Sequence, residues 1–208
     1  DLADRHDFVI AADECYSEIY GDEAAPPTGL LAVAKASGRD DFARCVAFHS
    51  LSKRSNLPGL RSGFVAGDAA ILARYLAYRT YAGCAMPQLQ QRVSAAAWVD
   101  EEHVRHNRAR YREKFAAVEP VLRTAFDFYS PEAGFYHWLP VPGGDDEAFT
   151  RQLFVEAHIT VLPGRYLGRP VAGVNPGAGH VRVAWVAPPE DCLAAAERMV
   201  GWARSADR

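Results

Sequence analysis

The sequence predicts an α/β domain built on a mostly parallel sheet, followed by a smaller α+β unit. Three observations carry that expectation. Unbroken apolar runs at Phe8–Ala12, Cys45–Phe48 and Gly63–Gly67 have the length and lack of alternation of strands buried on both faces. A polar connection containing Pro and Gly, with a helix near Gly29–Ser37, separates the first two runs, which is the strand–helix–strand spacing of an open α/β sheet. Beyond a long helix that begins near Asp100, short strands and helices mix, as they do in an α+β unit.

Each element has a local reason. Asp68 is an N-cap for a helix reaching Arg79, and Pro87 opens another that reaches Trp98. Asp100 caps the long helix. In it Val104, Tyr111, Phe115, Val118, Leu122 and Phe126 recur at helical steps and form one stripe, read as core. Pro120 falls inside that pattern and is expected to kink or divide the helix. Gly134–Leu139 reads as a strand, Asp145–Ala157 as a helix, and Ile159–Leu162 as a strand ended by Pro163-Gly164. A turn-rich loop over Gly173–Gly179 leads to a strand at His180–Val186, and Pro189–Arg204 is the closing helix, with Pro in its first turn. The boundary is expected within the long helix, giving units 1–115 and 116–208.

Composition excludes several function classes. The chain has 208 residues, 49% of them hydrophobic, with a net charge of −3 and no block of like charge. A real core is available, and nothing favours a nucleic-acid partner. No apolar run approaches the roughly 18–20 residues that cross a membrane, and no secretory pattern opens the chain. Cys15, Cys45, Cys84 and Cys192 are widely spaced and read as free thiols in a reducing compartment, hence a cytoplasmic protein. His103 and His106 share a helix face among Arg and Glu, which reads as a solvated face, and no metal site is expected. The charged start at Asp1–Asp7 reads as the end of a helix, which places the beginning of the chain inside a domain.

In open α/β sheets, ligands sit beyond the carboxyl ends of the strands. The first strand ends in Asp13-Glu14-Cys15-Tyr16. The second ends in His49-Ser50-Leu51-Ser52-Lys53, with Arg61 eight residues after the lysine. Hydroxyls and a guanidinium suit a phosphate dianion, and a desolvated lysine beside them is an amine nucleophile. On spacing alone, a serine-rich loop with exposed basic residues fits equally well. Asp13 tilts the balance: a carboxylate that ends a buried strand needs a partner, and a protonated pyridine nitrogen is one. A helix N-cap is the competing reading for Asp13. Arg182 faces away from Val181, Val183 and Trp185 in its strand and needs a carboxylate, from the protein or from a substrate.

Taken together, Asp13-x-x-Tyr16, Ser50-x-Ser52-Lys53 with Arg61, and Arg182 in the late strand resemble the class I/II aminotransferases, which have the fold-type I architecture and use pyridoxal 5′-phosphate (PLP). The resemblance covers the chain and looks like the C-terminal half of such a protein. It implies that Lys53 is catalytic and holds the cofactor as a Schiff base. It implies that Asp13 faces the pyridine nitrogen and Tyr16 the ring oxygen. Ser50, Ser52 and Arg61 would bind the phosphate and Arg182 the substrate α-carboxylate. The run Phe48–Asp68, Arg79-Thr80-Tyr81 with Gly83–Pro87, and Asn175–Gly179 are similar to bacterial N-succinyldiaminopimelate aminotransferases. That similarity implies amino transfer between N-succinyl-LL-2,6-diaminopimelate and 2-oxoglutarate, in lysine and diaminopimelate biosynthesis. It also implies amino-acid and 2-oxo-acid substrates, and a homodimer when full length with Tyr81–Pro87 near the partner. The family's phosphate loop, stacking aromatic and ring-oxygen asparagine have no counterpart in this sequence. Alternatives are β-elimination on the same scaffold, another amino-acid substrate, or a non-catalytic PLP-binding regulatory domain.

Overall fold

The computed structural model describes residues 1–206. They form two compact units, Asp1–Arg108 and Ala109 onward. The α/β expectation is met in the first unit and the α+β one in the second.

In the first unit a short helix α1 (Leu2–His6) precedes β1 (Ile10–Asp13), and α2 (Leu30–Ala36) leads to β2 (Cys45–Ser50). A four-residue helix α3 (Leu51–Arg54) follows at once, then β3 (Gly63–Gly67), α4 (Ala69–Tyr81) and α5 (Gln88–Val99). The strands lie in the order β1-β2-β3. β1 and β2 run parallel and β3 returns antiparallel. Asp68 caps α4 by accepting from the backbone N–H of Ala70 and Ile71. Gly67 has φ +137, and an added Cβ would meet the Cys45 carbonyl at 2.0 Å, so only glycine fits there.

One expectation needs correction. β1 and β3 are not buried on both faces: Ile10, Ala11 and Asp13 of β1 and Gly63 and Phe64 of β3 are exposed. Both are edge strands of the described sheet, and an unbroken apolar run does not say whether neighbours cover it. β2, in the centre, is buried at Cys45, Val46 and Ala47.

The long helix α6 (Glu102–Leu122) contains the division between the units. Asp100 accepts from the N–H of Glu102 at its start. Pro120 does not divide it, because the helix runs on to Leu122. A proline this close to the end removes one backbone donor from the last turn, and that turn closes through Arg123 N–H to the Glu119 carbonyl.

The second unit continues with β4 (Tyr136–Pro140), α7 (Asp146–Ala157), β5 (Leu162–Pro163), β6 (His180–Ala184) and α8 (Pro189–Ala206). The sheet order is β4-β6-β5, all antiparallel. The expected strand at Ile159–Leu162 is shorter than the sequence suggests, since only Leu162 and Pro163 pair with β6. Ile159 and Val161 are buried all the same, so their apolar character reflects core packing and not a ladder. That core joins Val118 and Leu122 of α6, Leu139 of β4, Leu153 of α7, Val181 and Val183 of β6 and Met199 of α8. Among the described residues, no helix is long and apolar enough to cross a membrane and no cluster of three or more potential metal ligands occurs.

Candidate active site

The carboxyl ends of the neighbouring parallel strands β1 and β2 bring the candidate residues of the first unit together. The chain leaves β1 at Asp13 and stays beside β2 through Glu14 N–H to the Phe48 carbonyl, 2.9 Å. It then enters turns over Cys15–Glu18 in place of the helix that an N-cap reading of Asp13 requires. The Asp13 carboxylate is exposed and accepts from Cys15 N–H at 3.1 Å. Hydrogen bonds from the Cys15 side chain and backbone hold its pKa below the usual carboxylate value. Because β1 is open, the burial cost used to argue for a partner of Asp13 does not operate among these residues. Burial, reinforced by Asp13, pushes the Cys15 thiol up to about 11, so it is no thiolate nucleophile at neutral pH.

At the end of β2 the order Ser50-Leu51-Ser52-Lys53 turns directly into α3. Ser50 is its N-cap: the hydroxyl oxygen accepts from Ser52 N–H at 3.1 Å and lies 2.9 Å from the Ser52 hydroxyl. The Ser50 hydroxyl also reaches the Ser62 carbonyl at 3.2 Å, which ties the serine pair to the Arg61–Ser62 segment. Arg61 has φ 55, a left-handed conformation uncommon for a side chain of its size, and donates to the Pro58 carbonyl at 2.9 Å. Lys53 is half-buried, and its Nζ lies 6.0 Å from the centre of the Tyr16 ring. Amine, phenol and paired hydroxyls thus share one corner of the sheet, with Asp13 and Arg61 exposed at its rim.

That donor set fits PLP. A primary amine answers an aldehyde, two hydroxyls and a guanidinium answer a phosphate, and a phenol and a carboxylate answer a hydroxypyridine ring. The chain has three lysines, Lys35, Lys53 and Lys114. Lys114 is buried in the second unit, with its ammonium donating to the Trp185 and Val186 carbonyls.

Arg182 lies in the second unit and is described there alone. It alternates with buried Val181 and Val183 as expected, and its guanidinium sits 5.4 Å from the Tyr136 ring centre. Among the described residues of its unit, no carboxylate pairs with it. The Asn175–Gly179 run builds a turn: Asn175 donates to the Arg165 carbonyl and accepts from Gly177 N–H, each at 2.9 Å. Arg79 closes the loop after α4 by donating to the Ala82 and Cys84 carbonyls, both at 3.1 Å.

Sequence reasoning missed the frame behind this corner. Arg54, beside Lys53, is not an exposed basic residue; only 4% is accessible. It donates to the Ala97 carbonyl at 2.9 Å, pairs with Glu101 and lies 5.1 Å from the Trp98 ring centre. Arg108 donates to both oxygens of Glu23, at 3.0 and 3.1 Å, and to Glu18, and lies 4.4 Å from the Tyr20 ring centre. No local motif marks these partners, which lie 43 to 90 residues apart.

Comparison with known proteins identifies the family. The family model described as aminotransferase class I and II matches residues 1–199. A probable aminotransferase of Mycobacterium tuberculosis is 38% identical over 92% of this chain and 43% of its own length. The LL-diaminopimelate aminotransferase of Aquifex aeolicus is 32% identical over 96% of this chain and 49% of its own. Among solved structures, an aminotransferase from Neisseria meningitidis superposes with TM-score 0.92 at 54% identity, covering 98% of this chain and 51% of that one. A probable N-succinyldiaminopimelate aminotransferase from Thermus thermophilus gives 0.82 at 30%, covering 96% and 51%. The chain therefore spans about half the length of the relatives it matches. On this agreement of fold and sequence, the chain belongs to the class I and II aminotransferases, a family dependent on PLP.

Proposed function

We propose that this chain is the catalytic-lysine half of a PLP-dependent aminotransferase. The observation that carries the reading is the meeting of Lys53, Tyr16, Ser50 and Ser52 at two adjacent strand ends. In this assignment the stretch 1–115 belongs to the cofactor-binding domain and 116–208 to a small domain. A homodimer of the whole protein is part of the same proposal.

PLP, when bound, supplies an aldehyde that accepts the substrate nitrogen and a ring that draws electrons from the substrate α-carbon. The Lys53 amine would hold the cofactor and would move the proton at the substrate α-carbon as general base and general acid. Asp13 would pair with the ring nitrogen and favour its protonated form. The Tyr16 hydroxyl would donate to the ring oxygen. Ser50, Ser52 and the Arg61 guanidinium would bind the phosphate, and Arg182 the substrate α-carboxylate.

For the substrate we propose a diaminopimelate-type donor, N-succinyl-LL-2,6-diaminopimelate, with 2-oxoglutarate as acceptor. Support comes from the motif similarity and from the Thermus relative of that name. A second reading, unsuccinylated LL-diaminopimelate, is favoured by relatives named LL-diaminopimelate aminotransferase. Glutamate formation from 2-oxoglutarate with each donor tests both. Turnover with one donor, abolished in Lys53→Ala, supports the assignment; normal turnover in Lys53→Ala refutes it.

A further inference from the structure

We propose that Asn107 is a positioning residue for Lys53, fixing the main chain from which the lysine side chain leaves; this rests on the reading of Lys53 as the cofactor-holding residue. The reason begins with the shortness of α3. A helix leaves its last carbonyls without partners inside the helix, and in a four-residue helix those are nearly all of them. The Lys53 and Arg54 carbonyls lie at that helix end. The Asn107 side-chain amide, on α6, donates to both, at 3.1 and 3.4 Å. One amide nitrogen carries two hydrogens, so both bonds can form together.

The neighbours of Lys53 are pinned in the same way. The Arg54 side chain is locked to Ala97 and Glu101. The Ser55 hydroxyl meets His103 Nε2 at 2.8 Å, and His103 Nδ1 meets Asp100 at 2.9 Å. Residues 53, 54 and 55 are therefore each tethered to the region of α5 and the start of α6. The next residue of α6, Arg108, binds Glu18 and Glu23, just beyond Tyr16. Two successive residues of one helix thus hold the two segments that carry the lysine and the phenol. A reacting amine at the end of four flexible bonds is directed mainly by the orientation of its Cα–Cβ bond, and small misplacements of reacting groups cost rate steeply.

Asn107 is the informative position in this frame. Arg54 and Arg108 carry buried charge, and their removal would unsettle the fold. Asn107 meets main-chain oxygens, so replacing it changes geometry first.

The test follows attachment of PLP to the cofactor-free, full protein. Samples are quenched with borohydride at intervals, and the modified Lys53 peptide is quantified over a range of PLP concentrations. In Asn107→Leu and Asn107→Asp the saturating attachment rate should fall about tenfold, while the half-saturating PLP concentration stays within about twofold. Asn107→His keeps an N–H donor at similar reach and should restore most of the rate. Thermal melts run in parallel, and if Asn107→Leu does not fold, the comparison of Asn107→His with Asn107→Asp decides. A wild-type rate in a folded Asn107→Leu or Asn107→Asp overturns the proposal, as does an Asn107→His as slow as Asn107→Asp. Modification of a lysine other than Lys53 in the unaltered protein overturns the lysine assignment itself, a result distinct from slowed labelling of Lys53.

Discussion

His137→Leu is expected to destabilise the second unit by an amount that depends on pH. His137 is fully buried on β4. Trp185 Nε1 donates to its Nδ1 at 2.6 Å. Indole is only a donor, so the imidazole proton sits on Nε2, which donates to Glu119 at 2.9 Å. Phe115 and Phe128 pack against the ring, with centres 4.6 and 5.0 Å away. Glu119 also accepts from the Ser130 hydroxyl at 2.6 Å and lies 3.8 Å from Arg123. Leucine fills the space but strands the indole N–H of Trp185, which is 3% exposed. A buried donor left without an acceptor costs about 1–3 kcal/mol.

Protonation sets the pH dependence. Burial pushes the His137 pKa below its ordinary value and Arg123 adds to that, while the Glu119 hydrogen bond opposes both. Below about pH 6.5 the unfolded chain binds a proton at this histidine that the native state refuses, so acid removes up to about 1.4 kcal/mol per pH unit until the folded imidazole itself protonates. The leucine variant lacks this loss, so its deficit against the parent should be largest near pH 8 and shrink toward pH 5. Urea unfolding followed by tryptophan fluorescence at both pH values measures it. A deficit under about 0.5 kcal/mol, or one unchanged by pH, refutes the tautomer and burial reasoning.

Three further outcomes are expected. Arg182→Ala should lower kcat/KM for the amino donor by roughly 10- to 100-fold with the melting temperature little changed, since a charge-assisted hydrogen bond is worth about 1.5–3 kcal/mol; steady-state kinetics and a melt together check this. Ser50→Ala removes both a hydroxyl from the cofactor set and the cap of α3, so PLP affinity by equilibrium titration should fall while α3 loses about 1 kcal/mol of local stability, seen as faster amide exchange. Leu153→Ala, at a fully buried position, should cost about 2–5 kcal/mol in urea denaturation.

What was legible in the sequence was local. Ser50, Ser52 and Lys53 lie within four residues, and α3 folds them together, so their spacing alone brought them to one place. The caps at Asp68 and Asp100 could be read because each binds N–H groups two or three residues on. The exposure of β1 could not, because an apolar run has the same composition at an edge as at the centre. Ile159 and Val161 misled for a related reason: core burial and strand pairing both select branched apolar residues. The Asn107 and Arg108 frame and the Trp185–His137–Glu119 chain escaped notice because hydrogen bonds across 18 to 90 residues leave no local pattern.

The central claim is that PLP attaches to the amine of Lys53. Borohydride reduction of the PLP-treated protein, followed by peptide mass mapping, tests it most directly, because the chain offers three lysines. Modification of Lys53, with Lys35 and Lys114 unmodified, is the predicted result. Modification of either other lysine in preference to Lys53, or none at all under conditions that label a known relative, would contradict it.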